Sequence, residues 1–143
     1  MIDIIYVQYN TTHDNNFVYY EDDQERDWWL LLVTHTPAFF IIHDKKYIMP
    51  PKSAILYPPS VPLHYGGHES YFKNDWIRFY TDEKFICDGN VPTCIPFEIK
   101  EFSFIHYLFK QLASENFFYN KFKEKTIFTL FELMFSKLEE SLS

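Results

Sequence analysis

The sequence PPSVPLHYGGHESYFKNDWIRF occupies residues 58–79 and indicates a loop that leads into a strand. Its three prolines and two glycines indicate irregular backbone, whereas aromatic residues alternate with other side chains from residue 76 onward. A short connection of this kind is expected to bring imidazole, phenol and indole groups together. The side chains concerned are His64, Tyr65, His68 and Trp76.

This cluster has two interpretations. Aromatic rings beside a few hydrogen-bonding groups suit a small polar molecule, which needs stacking area and directional partners. The alternative is the rim of a hydrophobic core, in which the polar tips of tyrosine and histidine reach water. The residues alone leave both interpretations open.

The composition indicates one globular domain. The chain has 143 residues, of which 47% are hydrophobic and 21% aromatic, enough to bury a sizeable core. Its net charge of −7 argues against this chain alone gripping a phosphate backbone, since non-specific nucleic-acid affinity comes mainly from lysine and arginine. The N-terminus lacks the features of a signal peptide, and no apolar run is long enough to span a membrane, so a cytoplasmic protein is expected.

The two cysteines, Cys87 and Cys94, could close a small disulfide loop. Nothing else in the sequence signals secretion, which favours two free thiols.

The first two thirds of the chain carry strand signals. Short apolar segments broken by prolines and polar turns predict an all-β sandwich or barrel. The polar segment 10–16 is predicted to be a loop or a mobile arm, and residues 43–46 a hairpin turn. The predicted strands cover residues 2–9, 17–20, 28–35, 39–42, 47–49, 54–57 and 76–81.

After residue 96 the apolar period changes to that of a helix. One amphipathic helix is predicted from 101 to about 116 and a second from about 119 to 142. The second has two apolar stripes, of which one can cover the β-structure and the other can pair with a second copy of the chain. Burial of both stripes within the chain is the alternative. The first stripe contains Ile127, Leu130, Phe131, Met134 and Leu138, and the second contains Phe128, Phe135 and Leu142.

The order of these elements resembles a known family. The segments WWLLLV from residue 28, FFIIHDKKYI from 39, AILYPP from 54, HYG from 64 and WIRF from 76 are similar to the N-terminal effector-binding and dimerisation domain of AraC-type bacterial transcription regulators. The resemblance implies a mainly β fold with C-terminal α-structure. Residues 1–98 would form a cupin-like barrel of the jelly-roll type, and residues 99–143 two helices in the same structural domain. It also implies a helix-turn-helix DNA-binding domain beyond a linker after Ser143, so the chain is expected to be a piece of a longer regulator.

The resemblance also implies an effector site inside the barrel. Trp76 matches the tryptophan on which a sugar stacks, and Tyr65 the tyrosine that contacts the sugar. Arabinose-responsive members carry an arginine where this chain has His35 and a histidine where it has Asn74. These replacements keep hydrogen-bonding groups but change their reach and charge, so a small polar, sugar-like effector is expected and arabinose itself is disfavoured.

Further contacts to the effector are expected from His64, Trp28 and Arg78. Strand alternation gives Arg78 the same facing as Trp76, which favours an inward position where it could meet an anionic group. The expected partners are thus a small-molecule effector and a second copy of the chain, with DNA contacted only through another domain. No cofactor is expected. The residues assigned to the dimer contact are Phe128, Phe131, Phe135, Leu138 and Leu142.

Two other functions stay open. A barrel filled by phenylalanine and tyrosine would leave a dimerisation module without an effector. A metal-dependent cupin enzyme would use histidines, but Gly66 stands where the cupin pattern after His64 needs a second one. His68, His35 and His43 offer further imidazoles at other spacings. Because the histidine spacing does not fit the cupin pattern, no metal site is expected, and hydrogen-bonded or surface histidines are the simpler interpretation. No serine lies in an activating motif, so an enzyme is not expected either.

Overall fold

The structure is a computed structural model that describes residues 1–143 as nine strands and three helices. The predicted mainly β chain with C-terminal helices is confirmed. The strands are β1 (Ile2–His13), β2 (Val18–Glu21), β3 (Trp29–Thr34), β4 (Ala38–Ile42), β5 (Lys45–Met49), β6 (Ser53–Tyr57), β7 (Leu63–Gly67), β8 (Phe72–Thr81) and β9 (Phe97–Glu98). The helices are α1 (Lys84–Cys87), α2 (Phe102–Phe117) and α3 (Lys123–Glu140).

The strands form two antiparallel sheets that face each other across an apolar layer. The larger sheet has the order β1-β8-β3-β6-β9, and the smaller has the order β2-β7-β4-β5. No strand pairing joins one sheet to the other, so the strands do not close into a continuous barrel.

Strand β3 shows why the chain contains a continuous apolar run. All six of its residues, WLLLVT, are buried. Leu30 and Leu32 belong to the core between the sheets, whereas Leu31 and Val33 belong to the core under the helices. Because successive side chains of a strand point to opposite faces, a strand covered on both sides needs apolar residues at nearly every position.

Helices α2 and α3 cover the outer face of the larger sheet. Their buried side chains join those of the sheet in one hydrophobic core. The first apolar stripe of α3 therefore faces the sheet, as its spacing predicts. The buried helical residues are Ile105, Leu108, Phe109 and Leu112 of α2 with Ile127, Phe131, Met134, Phe135 and Leu138 of α3.

The second stripe of α3 is partly covered by α1, a short helix that the sequence reasoning missed. The Phe85 ring of α1 lies 5.7 Å from the Phe128 ring and 5.9 Å from the Phe135 ring, both edge to face. Burial within the chain thus accounts for much of the apolar surface assigned to a dimer contact. Within that set, the buried residues are Phe131, Phe135 and Leu138, and those with accessible surface are Phe128 and Leu142.

The N-terminal arm expected at residues 10–16 is largely a strand. β1 continues to His13 and pairs with β8 from Ile2 onward, with two register shifts along the way. The polar residues of this segment fit an edge strand, since one of its sides has no neighbouring strand and reaches water.

Part of the expected loop in residues 58–79 is also a strand. Leu63–Gly67 forms β7, which lies between β2 and β4. Gly66 is required here because a side chain would collide with the Phe17 carbonyl oxygen and the Phe39 ring. The adjacent glycines therefore permit close strand packing and do not mark a turn.

The predicted hairpin between residues 39 and 49 is confirmed as β4 and β5. His43 and Asp44 form its turn with φ values of 50° and 65°. Two central residues with positive φ match the twist of a tight hairpin, which favours asparagine, aspartate or glycine at these positions.

Cys87 and Cys94 are both free thiols in the structure. None of the helices combines the length and apolar character that a membrane span requires.

Replacing Phe131 with alanine is expected to lower the free energy of unfolding by about 3–5 kcal/mol, because it removes a large side chain that is 1% exposed and leaves a cavity against Phe79. Urea denaturation measures the change. Leu133→Ala is the matched control on the same helix, since Leu133 is 38% exposed, and it should cost well under 1 kcal/mol. Equal losses in the two variants would contradict the assigned helix orientation.

Candidate functional site

A cavity of about 280 Å³ lies between the two sheets, and we call it the inter-sheet cavity. Its walls come from β1, β3 and β8 of the larger sheet and from β2 and β7 of the smaller sheet. Tyr65, Asn74, Trp76 and Arg78, which were all predicted as effector contacts, line it together. The remaining lining residues are Thr11, His13, Phe17, Tyr19, Leu30 and Phe72.

Strand β8 contributes four of the lining residues through simple alternation. Phe72, Asn74, Trp76 and Arg78 are two residues apart and face the cavity. Arg78 therefore lines the cavity on the same face of β8 as Trp76. The residues between them, such as Ile77, point to the core under the helices.

Arg78 is the charged group of the cavity. Its guanidinium carbon lies 4.5 Å from the ring centre of Trp28 and 5.1 Å from that of Trp76, so it is held between two indoles. Its Nη2 donates a hydrogen bond of 3.2 Å to the Tyr19 hydroxyl. Its Nε is buried and has no hydrogen-bond partner. A buried donor without a partner costs stability, so the chain leaves part of the hydrogen-bonding capacity of this guanidinium unused.

Arg26, which also lies over the Trp28 ring, provides a contrast. Its guanidinium lies 4.9 Å from the Trp28 ring centre and donates to the carbonyl oxygens of Trp28, Val61 and Pro58. Arg26 is thus satisfied by the chain itself, as a structural arginine is expected to be. Arg78 forms no ion pair with a carboxylate, and the cavity lining contains no aspartate or glutamate.

Tyr19 connects Arg78 to the protein surface. Its hydroxyl accepts from Arg78 and donates to the Glu21 carboxylate at 2.9 Å. Burial, and then the hydrogen bond to Glu21, raise the pKa of Tyr19 above its ordinary value. The phenol therefore keeps its proton at neutral pH and fixes the position of the guanidinium.

Tyr65 lines the aromatic part of the cavity, beside Tyr19 and Phe72. Its ring is stacked on that of Tyr19 at 5.3 Å and lies 5.9 Å from Phe72. Burial raises the pKa of Tyr65 well above its ordinary value. The hydroxyl is consequently protonated under physiological conditions and can act as a hydrogen-bond donor, the role predicted for it.

Asn74 and Trp76 supply the remaining predicted contacts. The Asn74 amide donates to the Thr11 carbonyl oxygen at 3.3 Å, which leaves its own amide oxygen as an acceptor. The Trp76 ring meets Tyr6 edge to face at 6.5 Å. Since Arg78 covers part of the indole, a ligand would stack on the surface that is left or displace the guanidinium.

Three predicted contacts do not line the inter-sheet cavity. Trp28 lies beside it, next to Arg78. His64 alternates with Tyr65 along β7 and therefore points away from it, packing edge to face against Tyr20. His35 follows β3 on the face turned towards α2, where it bonds to Asp75 at 2.7 Å. Neither histidine is a contact in the cavity.

Sequence reasoning missed several lining residues. Tyr19 could have been found from the alternation of β2, whose Tyr19 faces inward while Val18 and Tyr20 are exposed. Thr11 and His13 could not, because the extension of β1 to His13 depends on pairing with β8, which is distant in the chain.

A larger groove of about 450 Å³ lies at the surface between β1 and the start of α3. It is lined by the N-terminus, by the connection between α2 and α3, and by charged side chains such as Asp3, Lys121 and Glu124. No buried polar group without a partner faces it, so the inter-sheet cavity is the better candidate for a small ligand.

No protein-family model matches this chain, and a comparison with curated proteins finds no match.

Tyr57, between the sheets beside Tyr65, has a buried hydroxyl without a hydrogen-bond partner. Burial raises the pKa of Tyr57 far above the value it has in the unfolded chain. The neutral phenol therefore makes its full contribution to stability below about pH 10. Above that pH the free energy of unfolding falls by up to about 1.4 kcal/mol per pH unit. Tyr57→Phe should remove this part of the alkaline destabilisation and should not reduce stability at pH 7.

Chemical denaturation between pH 7 and pH 11 measures this effect. Tyr6→Phe is the control, because Tyr6 is 57% exposed. If the free energy of unfolding falls with pH as steeply in Tyr57→Phe as in the wild type, the buried environment assigned to this phenol is wrong.

Proposed function

We propose that this chain is the ligand-sensing and dimerisation domain of an AraC-type bacterial transcription regulator. In this role it binds a small polar, sugar-like effector in the inter-sheet cavity and controls a DNA-binding domain of the same regulator. In this role it catalyses no reaction and needs no catalytic cofactor. The observation that carries the proposal is the convergence of Trp76, Tyr65, Asn74 and Arg78 on one cavity.

The strand pairing supports a cupin-like fold of the jelly-roll type. A jelly roll arises when a long antiparallel hairpin of eight strands rolls up, so that strand one pairs with eight, two with seven, three with six and four with five. All four pairings occur here. The cavity then lies where cupin-like folds enclose ligands, between the facing sheets.

The guanidinium of Arg78 refines the class of effector. It is the charged donor of a cavity without carboxylates, in a chain whose net charge is −7. A carboxylate on the effector would accept a charge-assisted hydrogen bond from the guanidinium, whose hydrogen bond within the chain is the one to Tyr19. We therefore favour a sugar acid over a neutral sugar. A volume of about 280 Å³ is at the low end for ligand pockets and suits a molecule of monosaccharide size.

The position of the cavity also supports a signalling role. An effector there would contact Tyr19 of the smaller sheet and Arg78 of the larger sheet at the same time. The opposite face of β8 packs against α2 and α3, the elements proposed to form the dimer. An effector that binds one arrangement of these layers more tightly than another would shift the dimer towards that arrangement, as ligand-linked regulation requires.

A dimerisation module without an effector is the second candidate. It is favoured by the dense packing of the inter-sheet core next to the cavity, where Phe40, Tyr57 and Leu63 are completely buried. In that case the cavity is only a packing defect at the edge of a filled core.

A calorimetric screen with neutral sugars and sugar acids separates the two candidates. We expect binding of a sugar acid that weakens about 10- to 150-fold in Arg78→Gln, because a hydrogen bond to a charged group contributes about 1.5–3 kcal/mol. Trp76→Ala should weaken the binding of neutral sugars and of sugar acids to a similar extent. His64→Ala is the control and should bind as the wild type does, since His64 does not line the cavity. Absence of binding across both classes, or equal loss in His64→Ala, would favour the filled core.

The dimer contact has its own test. Phe128→Glu is expected to convert a dimer into a monomer in light scattering, because Phe128 keeps accessible surface on the second stripe of α3. Phe135 is unsuitable for this test, since it is buried and a charge there would unfold the chain. Leu133→Glu, on another face of the helix, should remain dimeric. A monomeric Leu133→Glu together with a dimeric Phe128→Glu would show that the dimer contact lies on the helix face that carries Leu133.

A further inference from the structure

Three residues that the proposed effector site does not use meet between the larger sheet and α2. They are His35 at the end of β3, Asp75 of β8 and His106 of α2, and we call them the His–Asp–His cluster. Asp75 lies between Asn74 and Trp76 in the sequence, yet its side chain points to the opposite face of β8. The cluster and the inter-sheet cavity are therefore separate sites, back to back across one strand.

The geometry of the cluster is compact. His35 Nε2 lies 2.7 Å from Asp75 Oδ1, and His106 Nδ1 lies 2.6 Å from Asp75 Oδ2. The ligand atoms of the three side chains all lie within 4.8 Å of one another. The Asn10 backbone N–H, at a bulge of β1, donates to Asp75 Oδ1 at 2.9 Å and orients the carboxylate.

Charge makes this arrangement unusual for a purely structural contact. The Asp75 side chain is completely buried, and no lysine or arginine pairs with it. A buried carboxylate is costly unless a cation compensates it. The side chains that bond to it are two imidazoles, and an imidazole carries a charge only when it has bound an additional proton or a metal ion.

We propose that the His–Asp–His cluster binds one divalent transition-metal ion of the zinc type. Two imidazole nitrogens and a carboxylate oxygen are a donor set that suits zinc, cobalt and iron rather than magnesium or calcium. Ligands about 2.1 Å from such an ion are about 3.0–3.5 Å from each other, so each ring has to move away from the carboxylate by less than about 1 Å. The ligand atoms of the cluster are spread over up to 4.8 Å, so the two ring nitrogens also have to move closer to each other. The ion would take the place of the two bridging protons.

The surroundings hold the ligands in place. The Phe102 ring is parallel to the His106 ring and meets His35 edge to face at 4.9 Å. The side chains of His35 and His106 are 11% and 18% exposed, which leaves an approach for the ion from solvent. The ion would join β3, β8 and α2, and so fasten the helical layer to the sheet.

Two substitutions separate a metal site from a hydrogen-bonded anchor. In His35→Gln the amide nitrogen can occupy the position of Nε2, and in His106→Asn it can occupy that of Nδ1. Both variants keep an N–H donor towards Asp75, so the anchor and the fold are preserved while the imidazole ligands are lost. His68→Asn is the control, because His68 is another histidine beside a carboxylate, that of Glu69, but its side chain is more exposed, at 32%.

The protein is first freed of metal with a chelator, and Zn²⁺ or Co²⁺ is then added. We expect one ion per chain by equilibrium dialysis, a visible Co²⁺ spectrum, and a rise in Tm on the order of 5 °C with excess Zn²⁺. His35→Gln and His106→Asn should each lose these signals, and His68→Asn should keep them. Absence of binding by the wild type, or binding unchanged in both variants, would overturn the proposal.

Histidine ring ¹⁵N spectra of the wild type keep the test valid if a variant fails to fold. Addition of Zn²⁺ should shift the ring nitrogens of His35 and His106 and leave those of His43 and His68 in place. Shifts confined to the exposed histidines would also overturn the proposal. Since the effector screen measures binding at another face of β8, failure of either proposal is recognisable without the other.

Discussion

Strand β8 is covered on both faces, by the smaller sheet on one side and by the helices on the other. This constraint governs the polar groups of the molecule. A polar side chain in the middle of the strand is placed in one of two apolar layers and has to be satisfied there. Asn74 and Arg78 enter the layer between the sheets, whereas Asp75 enters the layer under the helices. A strand used only for packing would carry apolar residues at these positions, as β3 does.

The two layers treat their charges differently. Arg78 is held by two indoles and one phenol, which contribute cation–π attraction but only one hydrogen-bond acceptor. Asp75 receives three hydrogen bonds, from two imidazoles and a backbone amide. The cation thus has unused donor capacity, while the anion has hydrogen bonds without a permanent counter-charge. These two imbalances are the physical basis for the separate binding sites that we propose.

Much of the β-structure could be predicted from local patterns. Alternation identified most of the strands, and the positive-φ turn at His43 and Asp44 fits the predicted hairpin. The period of 3.6 residues identified both long helices, with ends within a few residues of those observed. β7 was missed because its glycines resemble a turn, and they are explained only by close approaches in the tertiary structure, such as those of Phe17 and Phe39 to Gly66. The surface predicted for a dimer was overestimated because α1, which covers part of it, has only four residues and no periodic signal.

The sequence by itself determined which side chains of β8 share a face, because the period of a strand is two residues whatever surrounds it. It therefore placed Trp76 and Arg78 together, with Asn74 on the same side. Only the tertiary structure decided which partners these faces meet. His35 and His64 were expected in the cavity, but His35 lies on the helix side of the sheet and His64 points away from the cavity, while Tyr19 and Thr11 complete its lining. His106 reaches Asp75 from 31 residues away. Such contacts depend on strand pairing and layer packing over long sequence distances, which no local pattern encodes.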